Sequence, residues 1–369
     1  MFTIFIYISL STIMFLLCKS AFKENEWGYV VSAVLIYAVI FGCRYGVGKD
    51  FFAYEYIYNC ALDGLFATIP DWEIGFMSIL KTLAEFRLHS SYFFGVIAFL
   101  QLTLIFASVK KDKYVYTYLV FTYMIGCVWL AFSNGLRQEL AFCFFAFALT
   151  FADKKEWLKH YSIILMAISI HNSAYLLLAF YPILILKKEW FANVKFQLSI
   201  LILAYLIGES KLLAQYLFLF DEILGIDAFS DSYGAYLGYE DKLYSEVTKG
   251  LGYYIFLLMD IILVAHSTKI KKYTSNNYLI VIYNFYFIGT ILRHAFIDSH
   301  LIQRVNYYFY GFQFILAAYS LYYFYQSRSY KYFYLLLSLY VLTFVATMSK
   351  MEDNTALFRF FWEKDLFII

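Results

Sequence analysis

Proline is nearly absent from this chain. Pro70 and Pro182 are the only two in 369 residues, so no proline-rich linker divides it and long helices can run without interruption. Charge is scarce as well: Asp, Glu, Lys and Arg make up 15% against 63% hydrophobic residues, which excludes a soluble domain whose helices keep a polar face. Five cysteines are an odd number, and Cys18, Cys43, Cys127 and Cys143 fall inside or at the rim of apolar runs, where a thiol behaves as a small hydrophobe. No disulfide framework or metal cluster follows from them. P-loop, dinucleotide fingerprint, HExxH and Asp-x-Asp pair are all missing, so no nucleotide, cofactor or catalytic metal is expected. Internal repeats and low-complexity tracts are missing too, which leaves one integral membrane domain over 1–369.

Apolar runs fill the chain, and a mean hydropathy of +0.65 marks a polytopic membrane protein. The first run, Phe2 to Cys18, has no basic residue before it and no small-residue cleavage site after it, and reads as a retained helix. A membrane-crossing helix needs about 20 apolar residues. Spans are predicted near 2–18, 27–43, 91–109, 114–132, 135–152, 196–208, 251–265, 277–292, 305–325 and 332–348. Two segments fit less simply. Residues 73–88 carry Lys81, Glu85 and Arg87 and look amphipathic. Residues 158–186 are too long for one span and too short for two, since halves of about 15 residues reach only about 22 Å across a core of about 30 Å.

Lysine placement decides between the options. With 73–88 lying in the interface and 158–186 bent back at His171-Asn172, every lysine cluster falls on one side: Lys19 and Lys23; Lys110, Lys111 and Lys113; Lys154, Lys155 and Lys159; Lys187, Lys188 and Lys195; Lys269, Lys271 and Lys272; and Arg328 with Lys331. The lysines are orientation signals and not a nucleic-acid patch. The expected fold is an all-α bundle of about 11–12 transmembrane or half-spanning helices. Its outer face carries a loop at 44–72 and a larger loop at 209–250 with short helices. Aromatic residues, 23% of the chain, suit interfacial belts and sugar stacking.

Ions at apolar edges are the candidate functional groups, because ions at membrane depth need a partner or water. Arg44 and Asp50 leave the second span through a glycine-broken segment that ends at Tyr54. Guanidinium is shaped for paired hydrogen bonds to a diphosphate, though Arg44 also suits snorkelling to headgroups and Asp50 a helix cap. In Ser133-Asn134-Gly135-Leu136-Arg137-Gln138-Glu139, Arg137 sits in a helix first turn where backbone amides favour an anion; Glu139 is its nearest available ion-pair partner. His171-Asn172-Ser173-Ala174 lies at the bend, and broken backbone at membrane depth is tolerated only when buried in protein or lining a wet cavity. Arg293 and Arg304 bracket another outer loop, with Tyr307 and Tyr308 one turn beyond Arg304. Each arginine at the centre of a span costs roughly 2.5 to 3.5 kcal/mol, so a convergent set calls for an anionic partner.

Taken together, Arg-x-x-x-Gly-x-Asp-Phe-x-x-Tyr at Arg44 to Tyr54, Asn-Gly-x-Arg-Gln at Asn134 to Gln138, His-Asn-Ser-Ala at His171 to Ala174 and Arg-x-x-x-Tyr at Arg304 to Tyr308 resemble the EpsG-type and Wzy-type polysaccharide polymerases. The resemblance spans most of the chain. It implies a GT-C-like membrane bundle in the bacterial inner membrane that extends O-antigen or exopolysaccharide chains by metal-independent glycosyl transfer at the outer face. The donor and acceptor are glycans linked to undecaprenyl diphosphate, set in membrane lipid, with a chain-length regulator as a further partner and no nucleic acid. On that reading Arg44, Arg137, Arg293 and Arg304 hold the diphosphate. His171 or Asp50 takes the acceptor proton, and Tyr54, Glu139 and Tyr308 contact sugar. An O-antigen ligase, a flippase of lipid-linked sugar and a multipass acyltransferase are the competing functions.

Overall fold

In the computed structural model the described residues are 1–152, 156–185, 189–210, 249–274, 277–353 and 355–363. They are almost wholly helical, as a chain in lipid must be when it has no closed barrel to satisfy its backbone. Among the described residues, four helices are long and apolar enough to cross a membrane: α1 (Phe2–Glu24), and the helices Ser90–Ser108, Leu251–Thr274 and Tyr330–Ser349. Most of the large loop expected at 209–250 lies outside the described residues, as do Lys154, Lys155, Lys187 and Lys188.

The chain divides into two compact units. The first comprises Met1–Lys187 and Ala317–Ile369, the second Lys188–Leu316. In the first unit, α1 is followed by α2 (Gly28–Gly42), β1 (Arg44–Tyr45), α3 (Phe51–Leu62), α4 (Ile74–Glu85), α5 (Ser90–Ser108), α6 (Tyr116–Met124), α7 (Val128–Asn134), α8 (Leu136–Ala152), α9 (Trp157–Ile170) and α10 (Tyr181–Ile185). The second unit holds α11 (Val194–Ser210), α12 (Leu251–Thr274), α13 (Asn277–Ala295) and α14 (His300–Tyr310). Helix α15 (Gln313–Gln326) leads the chain back to the first unit, which ends with α16 (Tyr330–Ser349) and β2 (Arg359–Phe360).

Aromatic packing forms the core of the first unit. Tyr7 stacks on Trp129 with centroids 4.1 Å apart, and Tyr37 stacks on Phe41 at 4.3 Å. The C-terminal segment is strapped across this core: Tyr7 donates a hydrogen bond to the Ala356 carbonyl, and β2 pairs antiparallel with β1, Arg44 opposite Phe360. Segment 73–88 is a short helix with Phe76, Met77, Leu80 and Ala84 buried along one stripe, the spacing of an amphipathic helix. Two predicted spans are broken. The run 114–132 divides into α6 and α7 at a 66° bend, where Cys127 takes the left-handed backbone region at φ 55° and stops the helix. The run 305–325 divides at Gly311 between α14 and α15.

Segment 158–186 does turn back on itself. Helix α9 ends at Ile170, His171 is extended (φ −155°, ψ 122°), and residues Asn172–Ala179 form a 3-10 helix. The hydroxyl of Tyr161 donates to the Leu178 carbonyl and the His160 ring lies 4.8 Å from that of Tyr181, so the two arms run side by side with His171 at the tip.

Charge is sorted within each unit. In the first, Lys113 donates to Asn25 and Lys110 covers the Trp27 ring at 4.8 Å, at the start of α2, whereas Arg44 follows its other end. In the second, Lys271 lies over the Tyr283 ring and donates to the Phe191 carbonyl; Arg293 and His294 close the opposite end of α13.

Candidate active site

The segment after α2 is held by its glycines and by α7. Gly48 has φ +100°, and a Cβ there would lie 2.7 Å from the Ser133 carbonyl, so only glycine permits this approach. The amide of Lys49 donates to the Asn134 side chain, and that of Gly48 to the Thr355 carbonyl at 3.0 Å. Two of the sequence motifs, separated by more than eighty residues, therefore meet three residues before Arg137.

Arg44 is turned inward. Its Nη1 donates to the Phe41 carbonyl at 2.7 Å and its Nε to that of Val47 at 3.4 Å. The guanidinium lies 4.6 Å over the Phe94 ring, at 2% exposure. Its Nη2 is buried without a hydrogen-bond partner among the described residues. Asp50 stands at the N-cap of α3 and is exposed, but its side chain makes no capping bond.

Glu73 is the hub of the site. It occupies the N-cap of α4. Its Oε2 accepts from Nη1 of Arg137 at 2.7 Å, and its Oε1 accepts from Nδ1–H of His171 at 3.1 Å and from the Asn172 amide at 2.8 Å. Burial by itself would raise the Glu73 pKa, but the His171 hydrogen bond, the Arg137 charge and the Asn172 amide outweigh it and hold the carboxyl at about 2. The side chains are partly accessible, Arg137 at 22% and His171 at 21%, while Glu73 is covered at 7%. Aromatic rings floor the cluster: the Arg137 guanidinium lies 4.2 Å over Trp72, whose ring is 5.5 Å from that of Tyr54. The Tyr54 hydroxyl lies against Arg137, and Nε of Arg137 has no partner among the described residues.

Glu139, the partner that chain proximity offered Arg137, does not fill that role. Residues two apart on a helix face different ways. Glu139 is buried at 4% exposure and forms no ion pair among the described residues.

Arg293, Arg304 and Tyr308 belong to the second unit. Arg293 is sandwiched between the rings of Phe256 at 5.0 Å and Tyr310 at 4.5 Å. Arg304 is on the exposed side of α14, and Tyr308 is fully buried. The polar centre of this unit is Asp260, which accepts from Tyr286 at 2.7 Å, from Tyr310 at 3.1 Å and from Nε2–H of His294 at 3.0 Å. The other ring nitrogen of His294 is 3.0 Å from the Tyr253 hydroxyl.

Reading by motif passed over both carboxylates. A glutamate opening an amphipathic helix and an aspartate inside a 24-residue apolar helix were the available signals, because such groups need partners.

The model of the EpsG family matches residues 27–361. The chain belongs to the EpsG family. That family comprises exopolysaccharide and O-antigen polymerase-like proteins, and the match takes in the glycine-broken segment, the Glu73 cluster and the whole second unit. No curated protein and no solved structure gives a significant match. As an EpsG family member with several membrane-crossing helices, the protein is a multi-pass membrane protein of polysaccharide biosynthesis, of the polymerase type.

Proposed function

We propose that this EpsG family protein polymerises oligosaccharide repeat units carried on undecaprenyl diphosphate, at the outer face of the bacterial inner membrane. One observation carries the reading: an arginine and a histidine, from segments 34 residues apart, are held on one carboxylate beside aromatic rings. An anion-binding group beside a proton acceptor is what metal-free transfer from a lipid diphosphate requires, and this pairing supports the reading.

In the proposed reaction a hydroxyl of the acceptor glycan attacks the anomeric carbon of the donor. The bond from that carbon to the diphosphate oxygen breaks, and its electron pair leaves with undecaprenyl diphosphate. The hydroxyl proton passes to Nε2 of His171, while Arg137 stabilises the charge building on the leaving group. Trp72 and Tyr54 supply planes and a hydroxyl suited to sugar. Asp50 is the alternative proton acceptor, and Arg44, Arg293 and Arg304 are further candidates for the diphosphate; Glu139 and Tyr308 are buried and are not assigned to sugar.

The test is complementation. In cells lacking the gene, His171→Ala and Arg137→Ala are each expected to leave single repeats on the carrier and no long glycan ladder on gels. Normal ladders from both variants would remove this site from the chemistry. Long chains that accumulate unattached would identify a ligase instead. The same assay on Asp50, Arg44, Arg293 and Arg304 ranks the remaining candidates.

A further inference from the structure

We propose that Glu73 is the positioning residue of this site: one carboxylate both fixes which nitrogen of His171 accepts a proton and balances Arg137 until the donor arrives. The inference rests on the polymerase reading above and assigns a residue that no motif names.

An ionised carboxylate can only accept hydrogen bonds. The Nδ1 of His171 therefore carries the hydrogen it shares with Oε1 of Glu73, which leaves the lone pair on Nε2, the nitrogen pointing away from Glu73. The Asn172 amide donates to the same oxygen, tying the carboxylate to the backbone at the bend. Oε2 is occupied by Arg137, so the resting site holds no unmatched guanidinium charge on that side. A diphosphate must compete with Glu73 for Arg137, and part of its binding strength is withheld until charge develops on the leaving oxygen.

Glu73 is itself rigidly placed. Two residues on, a Cβ at Gly75 would lie 2.7 Å from the Ser169 backbone oxygen. The start of α4 is thus pressed against the last turn of α9, two residues before His171. Glu73 does not reach a position to react directly, since its carboxylate is 7% exposed and spent on three donors.

Two variants separate charge from geometry, measured with purified full-length protein and lipid-diphosphate-linked repeat units. Glu73→Gln removes the charge: kcat should fall about 10- to 100-fold, the range for losing an orienting partner, while KM for the donor falls because Arg137 is no longer balanced. Glu73→Asp keeps the charge but is one methylene shorter and cannot hold both partners, so kcat should fall with KM near wild type. The double variant Glu73→Gln with His171→Ala should be no slower than His171→Ala alone. Wild-type kcat and KM in Glu73→Gln or Glu73→Asp, with His171→Ala inactive, would overturn the positioning role and leave the polymerase reading standing. A fully active His171→Ala would instead overturn that reading. Equal loss of kcat with a raised KM in both Glu73 variants would show a merely structural residue and also sink the proposal.

Discussion

The two units each contain a carboxylate, a histidine and an arginine close to aromatic rings, yet they treat them oppositely. In the first, Glu73, Arg137 and His171 come from a cap, a helix start and a bend, and two of the three are about a fifth exposed. In the second, Asp260 and His294 lie inside helices α12 and α13 at 0% exposure, and tyrosine hydroxyls supply the other hydrogen bonds. A sealed, hydrogen-bonded carboxylate rigidifies its unit and specifies its packing. A cluster at helix ends, with ring nitrogen and guanidinium still accessible, can meet a ligand. On the proposed reading, similar residue types thus separate into a structural centre and a chemical one by where along the helices they fall.

The sharpest way to break this comparison is to delete both carboxylates in turn. Asp260→Ala strands His294 and Tyr286 in a dry interior, takes a partner from half-buried Tyr310, and should cost about 3 to 5 kcal/mol, read as a large drop in melting temperature in detergent. A melting temperature like wild type would mean that the second centre is not structural. Next in size, Arg137→Ala should lower turnover by roughly 10²- to 10³-fold, the loss typical of a group that stabilises developing charge, with only a small change in melting. If it instead melts early and retains turnover, the roles of the two centres are exchanged.

Tyr310→Phe removes one donor from Asp260, which keeps Tyr286 and His294, and should destabilise by about 1 kcal/mol. Tyr54→Phe, by contrast, should alter turnover more than melting. Both are read in the same two assays. The smallest effect is a pH dependence. The folded-state pKa of Glu73 is depressed to about 2. Its contribution to stability is therefore complete above the ordinary carboxylate range and disappears as pH falls through about 2. Wild type and Glu73→Gln should differ in melting at pH 6 and converge on acidification toward that value. A difference that persists unchanged would mean that the carboxylate is not ionised in the fold.

Much of the architecture was legible from residues alone. Lys81, Glu85 and Arg87 marked 73–88 as amphipathic, and it forms a short helix with one buried stripe; the awkward length of 158–186 predicted the bend at His171. The breaks at Cys127 and Gly311 were not legible, because an apolar run reads the same whether the helix continues or turns. At the site, motifs located Arg137 and His171 but proximity in the chain suggested Glu139 for Arg137. Helix geometry sends Glu139 to another face, and the partner comes from 64 residues away.

Composition and hydropathy by themselves made this chain a helical membrane protein, because lipid leaves an unpaired backbone no cheap alternative. Tertiary structure alone selected Glu73, 64 residues from Arg137 and 98 from His171, as the group that joins them. An ion pair is fixed by distances of about 3 Å, and only packing brings such remote residues that close.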